Sequence, residues 1–253
     1  MSKPIEGLPG WRLAELDETG STNADALSAA KLGDPGRLWI RAARQVQGKG
    51  RLGRPWVSER GNLYASLLLI DPALDSDRLS TLPLAAACAV HGALASLPGR
   101  ADFKIKWPND ILANGKKISG MLLESQPLPD ERLAVAIGIG INCAHHPDPA
   151  LYQATDLSEL GLDASPEALF FRLAVSMEAV LSAWNQGRGF PQIRAEWLRL
   201  AGGVGDKIKV NLPAGALEGI FEDIDALGRL VLRLQTGETR LISAGDVFFA
   251  PRA

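Results

Sequence analysis

Apolar residues recur along this chain in two rhythms. Residues 62–70, NLYASLLLI, form an unbroken apolar run of the length expected for a strand covered on both faces. FKIKW (103–107) alternates, with Phe103, Ile105 and Trp107 to one side and Lys104 and Lys106 to the other, until Pro108 ends it. LAVAIGIGIN (133–142) sends Val135, Ile137, Ile139 and Ile141 to one face and leaves Ala134, Ala136, Gly138 and Gly140 on the other. A face so bare predicts room for a flat ligand against the sheet. LWIRAAR (38–44) and ISGMLLES (118–125) read as further strands, the second reached through a hairpin at Asn114-Gly115.

The other rhythm is helical. GSTNADALSAAKLGD opens at Ser21 or Thr22 as N-cap and closes at Gly33. Residues 81–97 predict a buried helix capped by Ser80 or Thr81, with Pro83 tolerated in its first turn. Ser165-Pro166-Glu167 opens an amphipathic helix running to about Asn185, and residues 191–201 read as another. After AGGVGD the pattern changes to short alternating segments, KIKVNL, LEGIFEDI, GRLVLRL and TRLISAGDVFF, which predict a small β-barrel. A boundary near Gly202 or Gly203 gives a large domain over 1–203 and a small one over 204–253. The expected fold class is α+β: a mixed β-sheet packed with helices, plus a small C-terminal β-barrel.

Composition narrows this picture. The 253 residues are 46% hydrophobic, enough to fill a core of that size. Lys+Arg number 27 against 29 Asp+Glu, so no global field draws the chain to nucleic acid or to an anionic membrane. Cys88 and Cys143 lack metal-ligand or disulfide-framework spacing, which predicts a reducing, cytoplasmic setting. The N-terminal MSKPIEGLPGWRL lacks the layout of a signal peptide, and no apolar stretch is long enough to span a bilayer.

Against this neutral background, QVQGKGRLGRPW (45–56) gathers three glycines, one lysine and two arginines. Glycines let backbone approach a ligand, and cations with free N–H groups suit an anion. A nucleotide P-loop is excluded, because Ala43 and Gly50 stand where that motif requires Gly and Ser or Thr. Gly138 and Gly140 lie inside a strand, without the helix a dinucleotide fold needs. His145-His146 reads as a surface turn, His91 as a core histidine, and no G-x-S-x-G elbow occurs.

GSTN (20–23), QVQGKGRLGRPW (45–56), KWPNDIL (106–112), KKISGMLLES (116–125) and GIGIN (138–142), in this order, resemble the biotin–protein ligases over nearly the whole chain. The resemblance implies a catalytic domain like that of class II aminoacyl-tRNA synthetases and an SH3-like C-terminal barrel. It also implies a two-step, ATP-dependent reaction: biotin is activated to biotinyl-5′-AMP and passed to a lysine of a biotin carboxyl carrier protein. Both steps build negative charge on oxygen, which preorganised cations and N–H donors stabilise.

Carried over by motif, Ser21, Thr22 and Asn23 would contact the ureido ring, while Gln45, Lys49, Gly50 and Arg51 would meet the biotin carboxylate and the adenylate phosphate. Lys106, with Arg51, would be catalytic, standing between carboxylate and α-phosphate. Arg51, Trp56, Asn109, Asp110, Lys117 and Asn142 would hold the nucleotide, and Asp110 could help position Mg²⁺, although no all-protein metal site is expected. Each residue also has a plain structural use: Ser21 as an N-cap, Trp56 and Trp107 as core, Lys117 as a hairpin charge, Asn142 at a strand end.

Two features depart from the family pattern. Lys49 stands where an arginine is frequent, a point charge in place of a bidentate fork. YQATDL (152–157) lacks the tryptophan on which some relatives stack adenine. GSTN begins too near the start of this sequence for a preceding helix-turn-helix domain, so no DNA binding is expected. Sheet edges of this kind are compatible with a homodimer. Two other readings stay open: a lipoate–protein ligase, and a non-catalytic biotin sensor that would need no Lys106.

Overall fold

The computed structural model describes residues 2–71, 76–129, 131–147, 153–213 and 215–249. The chain runs through β1 (Lys3–Pro4), β2 (Arg12–Thr19), α1 (Thr22–Lys31), β3 (Leu38–Gln45), β4 (Leu63–Asp71) and α2 (Ser76–Ala95). It continues with β5 (Phe103–Lys106), β6 (Asp110–Ala113), β7 (Lys116–Pro127), β8 (Leu133–Ile141), α3 (Pro166–Trp184) and α4 (Phe190–Leu200). Five short strands follow: β9 (Lys207–Leu212), β10 (Gly215–Ile224), β11 (Leu230–Leu234), β12 (Thr239–Ile242) and β13 (Asp246–Phe249).

The first eight strands form one mixed sheet, in the order β1-β2-β3-β4-β8-β7-β6-β5. β2 and β3 are parallel, and the neighbouring pairs are antiparallel. One face carries the larger core: Leu63, Leu67, Val135, Ile137, Ile139 and Ile141 lie under α2, α3 and α4. The other face is covered in part by α1, whose Ala26 and Ala30 pack on Leu38, Ile40, Leu68, Ala134 and Ala136. The alternation of β8 is thus realised in full, isoleucines to the helical layer and small residues to the α1 side.

The Asn114-Gly115 hairpin forms with both residues at positive φ, 49° and 82°, the conformation this dipeptide favours. Ser165 caps α3, accepting from Ala168 N at 3.2 Å. One expectation is corrected, and one strand was not foreseen. The helix placed at 81–97 begins by Ser76 and ends at Ala95, with Ser80 and Thr81 inside it. Their hydroxyls donate back to the Asp77 and Arg78 carbonyls at 2.6 and 2.7 Å, so these cap-forming residues satisfy themselves within the helix and Pro83 lies in its interior. β2 had no signal, since only Leu13 of RLAELDET is buried.

The C-terminal sheet has the order β12-β11-β10-β9-β13 and is antiparallel throughout. It is tied to the large domain by Trp107 Nε1, which donates to Gly228 O at 3.0 Å, and the segment leading into it is held by Gly202 N, which donates to Ile105 O at 2.9 Å. The Arg194 guanidinium adds bonds to Ile224 O and Asp223. Among the described residues no helix is long and apolar enough to cross a membrane.

Candidate active site

A cleft of about 250 Å³ opens on the α1 face of the large sheet, where β8 changes from alanine to glycine. Ala134 and Ala136 lie beneath α1, but farther along the strand a Cβ at position 140 would fall 2.5 Å from the Trp56 indole nitrogen. One at position 138 would meet the Asn23 amide, its Cγ 2.9 Å away. The bare face expected to receive a flat ligand therefore receives the protein's own flat groups. Gly120 on β7 makes the same allowance, with Trp56 Cζ3 3.0 Å from its missing Cβ.

Ser21 occupies the N-cap position of α1 yet makes no side-chain cap bond, and its side chain lines the cleft. The helix is held at its start by Gln45 instead. Its Oε1 accepts from Thr22 N at 2.9 Å and lies 3.0 Å from Thr22 Oγ1, while its Nε2 donates to Ser58 Oγ at 3.1 Å. Asn23 Nδ2 donates to Glu124 Oε2 at 2.7 Å and to Leu122 O at 3.2 Å, and Ser66 Oγ lies 2.6 Å from its Oδ1 and 2.7 Å from Thr22 Oγ1. Thr22 and Asn23 are both buried. Their polar atoms are held in fixed directions, which suits recognition of a small polar head.

The glycine loop is a tight antiparallel excursion. Trp56 N donates to Gly48 O at 2.9 Å, Gly50 N to Arg54 O at 2.7 Å, and Lys49 bridges Pro55. Gly48 has no room for a side chain, since a Cβ would lie 2.6 Å from both Ser58 Oγ and Trp56 O. From this loop Arg51 reaches across the cleft, donating to Asn109 Oδ1 at 3.4 Å and Gly245 O at 3.3 Å. Arg54 pairs with Asp246 at 2.5 Å. Two arginines of the loop thus touch the C-terminal domain.

Lys106 stands on the cleft face of β5, opposite Asp110 in the strand register. Asp110 pairs with Lys117 at 2.7 Å, and Lys117 Nζ lies 5.4 Å from the Trp56 ring centroid. Asn109 is buried, its Nδ2 donating to Met121 O. Burial lowers the Lys106 pKa below the usual lysine value, opposed by Asp110 and Asp246 and assisted by Lys117. Phe248 and Phe249 of β13 place ring centroids 5.4 and 6.0 Å from the Lys106 ammonium. The Asp246 carboxyl is held below its ordinary range, first of all by the hydrogen bond from Arg54.

Ser21, Thr22, Asn23, Gln45, Lys49, Gly50, Arg51, Trp56, Lys106, Asn109, Asp110 and Lys117 all line this one cleft. Asn142 does not. It sits buried beyond the end of β8, its Nδ2 donating to Thr155 O at 3.0 Å, in the strand-end use open to it from the start. Trp107 is core, 2% exposed. Of the YQATDL segment, Tyr152 lies outside the described residues. The lining also includes Asn211 and the run Gly245 to Phe248 from the small domain. No local sequence signal marks these, because they reach the cleft only through docking of one sheet on another. Ser66 and Glu124 were equally silent, one inside the apolar run of β4 and the other inside β7.

Among the described residues five cations line the cleft, Lys49, Arg51, Arg54, Lys106 and Lys117, against two carboxylates, Asp110 and Asp246. That excess favours an anionic ligand, and the ordered amides and hydroxyls at the α1 end favour a neutral polar one beside it. The Biotin/lipoate A/B protein ligase family matches residues 21–142, and the Biotin protein ligase C terminal domain matches residues 204–250. Similar proteins include biotin–[acetyl-CoA-carboxylase] ligases of Paracoccus denitrificans, 38% identical over 92% of this chain and 99% of the relative, and of Mycobacterium tuberculosis, 36% identical over 94% and 89%. Among solved structures, biotin protein ligase from Aquifex aeolicus in complex with biotin and ATP is similar with a TM-score of 0.78 and 28% identity, covering 94% of this chain and 99% of that one. An identity of 38% spread along a relative's whole length is continuous homology rather than a shared motif, and the chain belongs to the biotin protein ligase family.

Proposed function

We propose that this protein activates biotin with ATP and transfers it to a lysine of a biotin carboxyl carrier domain. The observation that carries the reading is the convergence of Arg51 and Lys106, from a loop and a strand far apart in sequence, beside the ordered polar atoms of Thr22 and Asn23. A carboxylate oxygen attacks the α-phosphorus, a P–O bond forms, and the bond to pyrophosphate breaks. In the second step the neutral amine of the carrier lysine attacks the acyl carbon, AMP leaves with the electron pair of the C–O bond, and the amine proton passes to solvent.

In this reading Ser21, Thr22 and Asn23 take the ureido end, and Gln45 acts through Thr22 by fixing the helix start. Lys49, Gly50 and Arg51 face the carboxylate and phosphate, and Lys106 offsets the repulsion between them. Trp56, Asn109, Asp110 and Lys117 hold the nucleotide side. Asn142 serves from behind, since its amide is engaged with Thr155. Residues 1–203 make the catalytic domain and 204–253 a small domain that completes the cleft with Gly245 to Phe248.

Mg²⁺ would enter with ATP. Among the described residues no group of three or more His, Cys, Asp or Glu side chains gathers. One cleft carboxylate, Asp110, fits an ion held mainly by phosphates and water. The buried thiols Cys88 and Cys143, both pushed up to about 12 by burial, are inert and fit a cytoplasmic protein.

The test is transfer of radiolabelled biotin or lipoate to an isolated carrier domain with ATP and Mg²⁺, with pyrophosphate measured in parallel. Biotin-dependent pyrophosphate release and labelling of the carrier are expected. Lipoate transfer in place of biotin would establish the other ligase, and biotin binding without pyrophosphate would establish a sensor.

A further inference from the structure

We propose that Phe248, on the last strand of the small domain, is a positioning residue for Lys106, its ring face holding the ammonium toward the cleft without neutralising it. The inference rests on the reading of Lys106 given above. The two carboxylates that act on this ammonium are both committed elsewhere, Asp110 to Lys117 at 2.7 Å and Asp246 to Arg54 at 2.5 Å. Two aromatic rings also stand over it, with the Phe248 centroid at 5.4 Å and the Phe249 centroid at 6.0 Å.

The choice of partner has a chemical consequence. A carboxylate in that place would pin the lysine by cancelling its charge and would repel the two anions it must bring together. A ring face attracts the cation through its quadrupole and leaves the charge available. The same ring excludes water from one side of the ammonium, in keeping with the lowered pKa.

The geometry also explains how a domain that supplies no sequence motif can matter to catalysis. Ala201 is bridged to Ile105, the residue before Lys106, and Gly202 N bonds to Ile105 O at 2.9 Å. Gly203, at φ +83°, leaves the space that Phe249 fills, since a Cβ there would meet Phe249 Cζ at 3.3 Å and its ring edge closer still. The interdomain joint, the aromatic strand and the lysine are consecutive layers of one contact.

The test replaces Phe248 in the full chain with phenylalanines carrying one, two and three ring fluorines, which keep the shape and weaken the quadrupole stepwise, alongside Phe248→Leu and Phe248→Trp. Biotin- and ATP-dependent pyrophosphate release gives kcat and KM, and thermal melting monitors the fold. kcat is expected to fall stepwise with fluorination, by about 5- to 30-fold at three fluorines and in the leucine variant, and to survive in the tryptophan variant. KM for biotin and the melting temperature should stay constant across the fluorinated series, which a merely structural ring would not separate from kcat. A flat kcat across that series, or a change confined to KM, would overturn the proposal even if Phe248→Leu fails to fold. Wild-type turnover by Lys106→Ala would instead overturn the role of the lysine itself.

Discussion

Lys106 owes its place to strand alternation and its chemistry to burial. Its neighbours Ile105 and Trp107 anchor the helical face, so the ammonium has only the cleft side to occupy. On the proposed role, in which its charge serves the transition state, Lys106→Ala should lose adenylation by about 10²- to 10³-fold while biotin binding, measured by calorimetry, persists in part. The pH profile carries a sign. The pKa is lowered, chiefly by burial, so the cationic form is lost as pH rises through a value below the ordinary ~10.4. The alkaline limb of kcat/KM for pyrophosphate release, which reports the free enzyme, should fall below that of an ordinary lysine. In Lys106→Arg, whose guanidinium stays charged, that limb should vanish from the accessible range even though the altered geometry slows the reaction.

At the scale of the element, β8 shows how a strand can be graded along its length. Its small face passes from Ala134 and Ala136 under α1 to Gly138 and Gly140 under Asn23 and Trp56. Gly140→Ala inserts a methyl group 2.5 Å from the Trp56 ring, and overpacking of this kind costs about 1–3 kcal/mol. A drop of that size in urea-unfolding stability, with weakened nucleotide binding, is expected; an unchanged midpoint would show that Trp56 can leave its seat at no cost. The glycine pattern was legible in the sequence because glycines on one side of an alternating strand admit few explanations. Its occupant was not legible, because Trp56 comes from a different segment and nothing in the sequence of β8 names it.

For the whole molecule, the decisive feature is that the small domain closes one wall of the cleft. Arg51 and Arg54 connect the glycine loop to Gly245 and Asp246, so loop and domain form one clasp. Arg54→Ala removes a partly exposed ion pair of modest strength, about 0.2–1 kcal/mol, and should speed tryptic cleavage near Arg51 by about two- to fivefold. Addition of biotin and ATP should slow that cleavage in both forms, as the loop orders over the bound anions. Cleavage indifferent to both the substitution and the ligands would show that this clasp does not control the loop.

The sequence by itself determined the strands and helices with strong periodicity, the Asn114-Gly115 turn, the change of rhythm after Gly203 and, Asn142 excepted, the set of polar residues gathered in one cleft. These are local or motif-borne properties, fixed by side-chain alternation, backbone preference and spacing. It gave no sign of β2, which buries only Leu13, and it put the start of α2 too late, because Ser80 and Thr81 satisfy their hydroxyls as readily inside a helix as at its end. Tertiary structure alone decided that Gln45 and Ser66 brace the α1 terminus, that Asn142 turns away from the cleft, and that Phe248 faces Lys106. The reason is physical: each is a meeting of side chains from elements distant in sequence, and the direction in which a polar group points is set by which partner packing brings within reach.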